Sequence, residues 1–182
     1  MHYCDYTATL PPDNPHRRYH DHEYGYPIAE DDRLFERLVF EINQAGLSWT
    51  TILNKAENLR RAYDHFAIER VAAYGEADIV RLLADTGIIR NRRKIAAAIH
   101  NACVIRELQA AHGSFRAWLD AQAGADKAAW VKLFKKTFAF TGPEITGEFL
   151  MSSGYLEGAH RRDCPVYAQI LAAHPRWLTG GG

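Results

Sequence analysis

A chain of 182 residues, 47% hydrophobic and 24% charged, can bury one substantial core or two small lobes sharing one, and has the composition of a soluble globular protein. Its 22 basic and 22 acidic side chains give a formal net charge of zero, which excludes global steering toward DNA or a membrane and leaves nucleic-acid contact to local basic clusters. No apolar run approaches the ~20 residues of a membrane span, and the first twenty residues, MHYCDYTATLPPDNPHRRYH, lack the apolar core of a secretory signal, so a cytoplasmic protein without a disulfide framework is expected.

Apolar periodicity predicts an all-α chain, with no period-2 alternation over a strand's length and no hairpin turn between apolar runs. A helix is expected from Asp31 to about Ala45, opened by acidic residues that suit its positive end. Ser48 is placed to cap a second helix to about Phe66, with Trp49, Ile52 and Leu53 facing inward. Short helices follow at 68–73 and 76–85. After a tight connection with Gly87 at the turn, Asn91 can cap a long helix from Arg92 to Ala111. Ile95, Ile99, Ala102 and Ile105 form its inner face, and Cys103 reads as a small core residue. Phe115, Trp118 and Leu119 lie on the next helix. Residues 121–127 form a loop, and a helix from Lys127 to Phe138 turns Trp130, Leu133 and Phe134 inward. Another helix covers 144–153, and a polar stretch leads through HRRDCP to a last short helix. Gly180–Gly182 are expected to fray.

Three features carry chemistry. Residues 38–53 read LVFEINQAGLSWTTIL and put Glu41 on the apolar stripe of Leu34, Leu38 and Ala45. A desolvated carboxylate needs a partner or a cavity, and the pattern leaves open which it has. Cys4 and His20 lie near the start, His160 and Cys164 near the end. A His-x3-Cys turn, with Pro165 keeping Cys164 out of a helix interior, can place two ligands on one ion. With nine histidines in the chain, spacing alone leaves a zinc site and unconnected thiols and imidazoles both open. Basic clusters occur at 17–18, 60–61, 90–94, 132–136 and 161–162, each of which alone reads as a solvated patch.

Five blocks in order, YHDHEYG at 19–25, EINQAGLSW at 41–49, TGIIRNRRKI at 86–95, FAFTG at 138–142 and H-x3-C at 160–164, resemble the 3-methyladenine DNA glycosylase I family. The resemblance implies an all-α, helix-hairpin-helix repair glycosylase forming a single domain over 1–182. Its two lobes would flank a base-binding cleft, with 1–30 and 155–175 forming an edge tied by zinc. It implies structural Zn²⁺ on Cys4, His20, His160 and Cys164. Glu41 would face the flipped base, Trp49 would be the stacking platform with Tyr19 alongside, and Tyr6 and Tyr24 would form an aromatic wall where relatives often carry tryptophan. The 86–95 segment would be the DNA-binding hairpin. Gly87 would allow close backbone approach, with helix-start amides near Asn91 and the cations Arg90, Arg92, Arg93 and Lys94 around a phosphate. Gln44 and Leu47 are candidates to fill the gap left by the extruded nucleotide. The expected partner is double-stranded DNA containing alkylated purines, bound by a monomer.

The chain departs from the family pattern after FAFTG, where PEITGEFLMSS replaces a Thr-rich, Tyr-containing run and introduces Glu144 and Glu148. This keeps a second reading alive, a DNA-binding relative that senses alkylated bases with little catalysis. A zinc hydrolase is disfavoured, since two cysteines and two histidines leave no open coordination position.

Overall fold

Asp31 and Asp32 do more than open a helix. In the computed structural model, which describes residues 1–179, the Asp31 carboxylate accepts from the backbone amides of Phe115 at 2.8 Å and Arg116 at 2.9 Å and from Gln109 Nε2 at 2.7 Å. Asp32 accepts from the Ile68 amide at 3.1 Å. Each caps the start of another helix, satisfying amides that a helix start leaves unpaired. The helix they open, α3 (Asp31–Gln44), is buried at every position from Leu34 to Asn43 and forms the axis of the core.

Around it, among the described residues, run α1 (Tyr3–Ala8), α2 (Pro15–His22), α4 (Trp49–Ala62), α5 (Ile68–Ala72), α6 (Glu76–Ala84), α7 (Arg92–His112), α8 (Phe115–Asp120), α9 (Lys127–Thr137), α10 (Pro143–Ser152), α11 (Tyr167–Ala172) and α12 (Arg176–Thr179), with no strand. Asn14, Ser48, Asn91, Ser114 and Asp126 each cap the helix that follows with a side-chain oxygen. Aromatic residues of α8, α9 and α10 interlock, with Phe134 lying 5.5 Å from Phe149 and 6.2 Å from Trp118 between ring centroids. A smaller cluster joins Cys4, Cys164, Val166 and Ile170. None of the described helices is long and apolar enough to cross a membrane. The expected fraying of Gly180–Gly182 lies outside the described residues.

The expected helix to Phe66 ends early. After Ala62 the chain turns through Asp64, His65 and Phe66 at φ 49°, 55° and 57°, a left-handed stretch that costs about 1–2 kcal/mol per non-glycine residue. Tertiary packing overrides the local preference. The turn drives Phe66 into the core, stacked on Tyr63 at 5.4 Å and edge-on to Phe40 at 5.6 Å. Tyr74 Oη donates to Asp64 at 2.6 Å, and Arg33 donates to the His65 carbonyl at 2.6 Å.

Two contacts set the frame for the cleft. Asn101, fully buried on α7, exchanges two hydrogen bonds with the Ala139 backbone at 2.8 and 3.1 Å, fixing the FAFTG turn and hence the start of α10. Lys94 Nζ reaches the carbonyls of Asn43 and Ala45, both at 2.7 Å, and fastens the start of α7 to the end of α3.

Candidate active site and metal centre

A cavity of about 450 Å³ opens between α1, α2, α3, α4 and α10. Its aromatic wall is Tyr3, Tyr19, Tyr24 and Trp49, and its acidic groups are Glu41, Glu144 and Glu148, with Gln44, Ala45 and Ile145 completing the lining. Tyr19 packs 5.1 Å from the Trp49 ring and 5.5 Å from Tyr24. The Trp49 indole Nε1 is buried without a partner.

Glu41 is 5% exposed, and no described residue donates a hydrogen bond to it. Arg37, one turn earlier on α3, is spent elsewhere. Its guanidinium lies 5.0 Å over the Tyr19 ring and donates to Tyr19 Oη at 3.2 Å, the Ser152 carbonyl at 3.1 Å and Glu23 at 3.3 Å. Burial pushes the Glu41 carboxyl up to about 8; Arg37 opposes this and Glu148 adds to it. Glu41 therefore has a cavity and, among the described residues, no ion pair. Such a group, with aromatic faces beside it, suits a cationic planar ligand.

The four sulfur and nitrogen ligands converge. Cys4, His20, His160 and Cys164 are all buried, with their ligand atoms within 4.8 Å of one another, so the cluster can hold a metal ion. Helices α1 and α2 bring the first two, and the turn before α11 brings the others. Cys164 Sγ is 3.7 Å from His20 Nε2 and 3.6 Å from His160 Nδ1, and Cys4 Sγ is 3.8 Å from that same Nδ1. The outer ring nitrogens are held too, His20 Nδ1 by Asp21 at 2.7 Å and His160 Nε2 by the Tyr24 carbonyl at 2.7 Å. That arrangement fixes both tautomers and aims the remaining nitrogens at the centre.

Other expected positions are redistributed. Tyr6 does not line the cavity. It is 39% exposed and packs behind Tyr3, 6.3 Å away, and His16, 5.4 Å away. Tyr3 lines the cavity in its place, its hydroxyl 3.0 Å from His16 Nδ1, while His16 Nε2 lies 2.8 Å from Thr50 Oγ1. Gln44 is in the lining, and Leu47 stands 42% exposed in the turn after it.

Arg90, Arg92 and Arg93 are exposed at the 86–93 turn, with Arg92 paired to Glu76 at 2.7 Å and Arg93 lying 5.9 Å over Phe140. Lys94 does not join them: it is 5% exposed and bound to the α3 carbonyls, because its position on α7 faces the core. The amides of Arg93 and Lys94 are already taken by the Asn91 side chain at 3.0 and 3.1 Å. Gly87 makes its close approach within the protein, where a Cβ would lie 3.0 Å from Asn58 Nδ2.

Comparison with known proteins agrees with this geometry. Residues 10–167 match the methyladenine glycosylase family. The chain is 34% identical over 168 aligned residues to DNA-3-methyladenine glycosylase 1 of Escherichia coli (strain K12), covering 82% of this chain and 89% of that protein. It is 30% identical to DNA-3-methyladenine glycosylase of Haemophilus influenzae, covering 81% and 89%. Among solved structures, the 3-methyladenine DNA glycosylase I of Staphylococcus aureus superposes with a TM-score of 0.80 at 30% identity, over 91% of this chain and 97% of that one. With that span matched in sequence and in three dimensions, the chain belongs to the methyladenine glycosylase family.

Proposed function

We propose that the protein is a base-excision repair enzyme, a monofunctional glycosylase that hydrolyses the N-glycosidic bond of alkylated purines, chiefly 3-methyladenine, in double-stranded DNA. The observation that carries this reading is the buried, unpaired Glu41 in an aromatic-walled cavity of base-pocket size. A target stacked in a duplex must be extruded to reach it. Arg90, Arg92 and Arg93 would hold the phosphates, and Gln44 and Leu47, on the turn that Lys94 ties to α7, are placed to occupy the vacated stack.

N3-methylation leaves the adenine of a nucleotide positively charged. The Glu41 carboxylate at its edge and the Trp49 and tyrosine faces beside it favour that cation over a neutral purine. When the bond from C1′ to the base breaks, its electron pair stays with the base, which departs neutral. The oxocarbenium left on the sugar takes up water at C1′ and loses a proton. A base that is already cationic needs no strong general acid. The role of Glu41 is therefore to bind the cation and to stabilise positive charge as it moves from base to sugar. There is no conspicuous active-site lysine, consistent with hydrolysis rather than strand cleavage.

The metal in this reading is zinc. Tetrahedral Zn²⁺ with bonds of about 2.3 Å to sulfur and about 2.0–2.1 Å to nitrogen sets sulfur–nitrogen separations near 3.6 Å, against 3.6–3.8 Å for the three pairs found here. Cys4, His20, His160 and Cys164 would fill all four positions, so a bound zinc would supply a cross-link between the 1–30 and 155–175 segments and no reaction step. We further infer a single helix-hairpin-helix domain, with α6 and α7 as the hairpin helices, acting as a cytoplasmic monomer.

The test is chromatographic identification of free bases released from methylated duplex DNA by the wild-type protein and Glu41→Gln. Release of 3-methyladenine that falls sharply in the variant is the expected result. Equal release by both would remove the role given to Glu41, and tight binding of damaged DNA without any release would favour the lesion-sensing alternative.

A further inference from the structure

Glu41 does not face the cavity alone. Glu148, on α10 across from α3, lines the same cavity, and burial raises its carboxyl too. Its one hydrogen bond is from Tyr24 Oη at 3.3 Å, long for an O–H donor to a carboxylate. Neither carboxylate, nor the neighbouring Glu144, takes part in an ion pair among the described residues. Lys127, whose charge opposes that rise, lies against Gly147, where a Cβ would meet its Cε at 2.9 Å, and makes no ion pair with Glu148. The cavity thus holds the buried Glu41 and the half-buried Glu148 on opposite helices, neither in an ion pair among the described residues, in an aromatic-lined space that also contains the unpartnered Trp49 Nε1.

We propose that Glu148 is a second specificity-determining residue, which with Glu41 brackets the base from two sides and restricts the cavity to purines that carry full positive charge in the nucleotide, such as N3-methylated adenine and N7-methylated guanine, over neutral lesions. The proposal rests on the glycosylase reading for the identity of the ligand. Two carboxyl groups with no cation between them resist ionising together. A planar cation between them is attracted to both, and its ring N–H and amino groups can meet one carboxylate on each side. A neutral purine gains nothing from the second carboxylate, so the pair discriminates through its attraction for the cation.

The test is calorimetric titration of the intact protein with two probes of nearly one shape: 3,9-dimethyladenine, cationic at neutral pH and unable to lose a sugar, and neutral 9-methyladenine. The wild type should prefer the cation. Glu148→Gln should lower affinity for the cation by about tenfold or more, well within the roughly thousandfold that one charge about 4 Å away gives at an effective dielectric near 20, and leave the neutral probe within twofold. Glu148→Asp, which keeps the charge, should retain the preference, and melting curves would check that each variant is folded. An unchanged preference in Glu148→Gln would overturn the proposal, as would an equal loss in Tyr24→Phe, which would make Glu148 only an anchor for that tyrosine. Base release from methylated DNA, run in parallel, separates the two readings. Charge selectivity without release would sink the glycosylase reading alone, whereas release without dependence on Glu148 would sink this one.

Discussion

The Glu41→Gln substitution should make the protein more stable, by an amount that grows with pH. Glu41 is raised from the ordinary 4.5 to about 8 by burial, so the folded state holds this proton more tightly than the unfolded chain. The linkage then runs opposite to that of a salt-bridged carboxylate. No stability is lost below about pH 4.5, stability falls steadily as pH rises from there to about 8, and it is level above. At about 1.4 kcal/mol per pH unit the full penalty is on the order of 5 kcal/mol, with on the order of 3 kcal/mol already present at neutral pH. Glutamine keeps the shape and discards the charge. Its unpaired amide has a cost of its own, but one that does not vary with pH.

Urea unfolding of both proteins at about pH 5, 6.5 and 8 measures the effect. The expected result is a small difference at the lowest pH, opening to several kcal/mol in favour of glutamine at the highest. For a domain of this size that corresponds to roughly 5–15 °C in melting temperature. The metal ligands and most other titrating groups are shared by both proteins and cancel in the difference. Glu148, which couples to Glu41, reshapes the curve without changing its direction. A stability difference that stays constant across this range would refute the claim that Glu41 is held in the cavity as an uncompensated charge. The expected pattern, greater stability with lost activity, is that of a residue kept for function at the expense of the fold.

The same ionisation should appear in catalysis: kcat/KM for base release should rise with pH through an apparent value near 8 and then level off, because that ratio reports the free enzyme and the carboxylate is the working form. Chelation of the metal, or Cys164→Ser, should lower the melting temperature by many degrees and expose the 1–30 and 155–175 segments to limited proteolysis, since binding free energy at a closed site is folding free energy. Lys94→Met should destabilise by about 2–3 kcal/mol by leaving the Asn43 and Ala45 carbonyls unpaired, while the salt dependence of DNA binding stays at the wild-type slope. Arg90→Ala and Arg93→Ala should do the reverse, leaving stability nearly unchanged and reducing that slope by about one each.

The parts of the site that were legible in the sequence are those set by local rules. Ser48 and Asn91 cap their helices as their positions require, and Glu41 is buried on α3 as its place beside Leu38 suggests, although α3 is buried all round from Leu34 to Asn43 and Ala45 lies just past its end. The four residues of the Cys/His cluster stood out by residue type and the family resemblance, although nothing in the spacing of Cys4 and His20 could show that α1 and α2 fold back on each other. What escaped depends on register and on distant partners. Tyr3 and Tyr6 are three residues apart on one short helix, and only its docking against α2 decides that Tyr3 faces the cavity. Lys94 lies in a run of cations whose density suggested a phosphate site, yet helical phase turns this one position inward while its neighbours face solvent. Asp31 and Asp32 suit a helix start by charge, but they cap α8 and α5, whose sequence positions are 84 and 36 residues away. The left-handed turn at 64–66 has no glycine to announce it and exists because Phe66 fills the core.

These placements make the Cys/His cluster and the aromatic-walled cavity one assembly. Tyr3 precedes Cys4 on α1, Tyr19 precedes His20 on α2, and the Tyr24 carbonyl accepts from His160 at 2.7 Å. Three of the four aromatic wall residues are therefore positioned by the backbone or hydrogen bonds of the cluster, and the same Tyr24 passes on to Glu148 through its hydroxyl. Opposite them, Glu41 stands near the C-terminal end of α3, which Lys94 fastens to the start of α7 beside the exposed Arg92 and Arg93. One wall is tied through the Cys4, His20, His160 and Cys164 cluster, and the other through a buried ammonium that joins α3 to the start of α7. A site that discriminates by charge and shape rather than by strong acid catalysis requires that rigidity. An uncompensated carboxylate can keep its place only if neither wall is able to move inward and solvate it with a neighbouring donor.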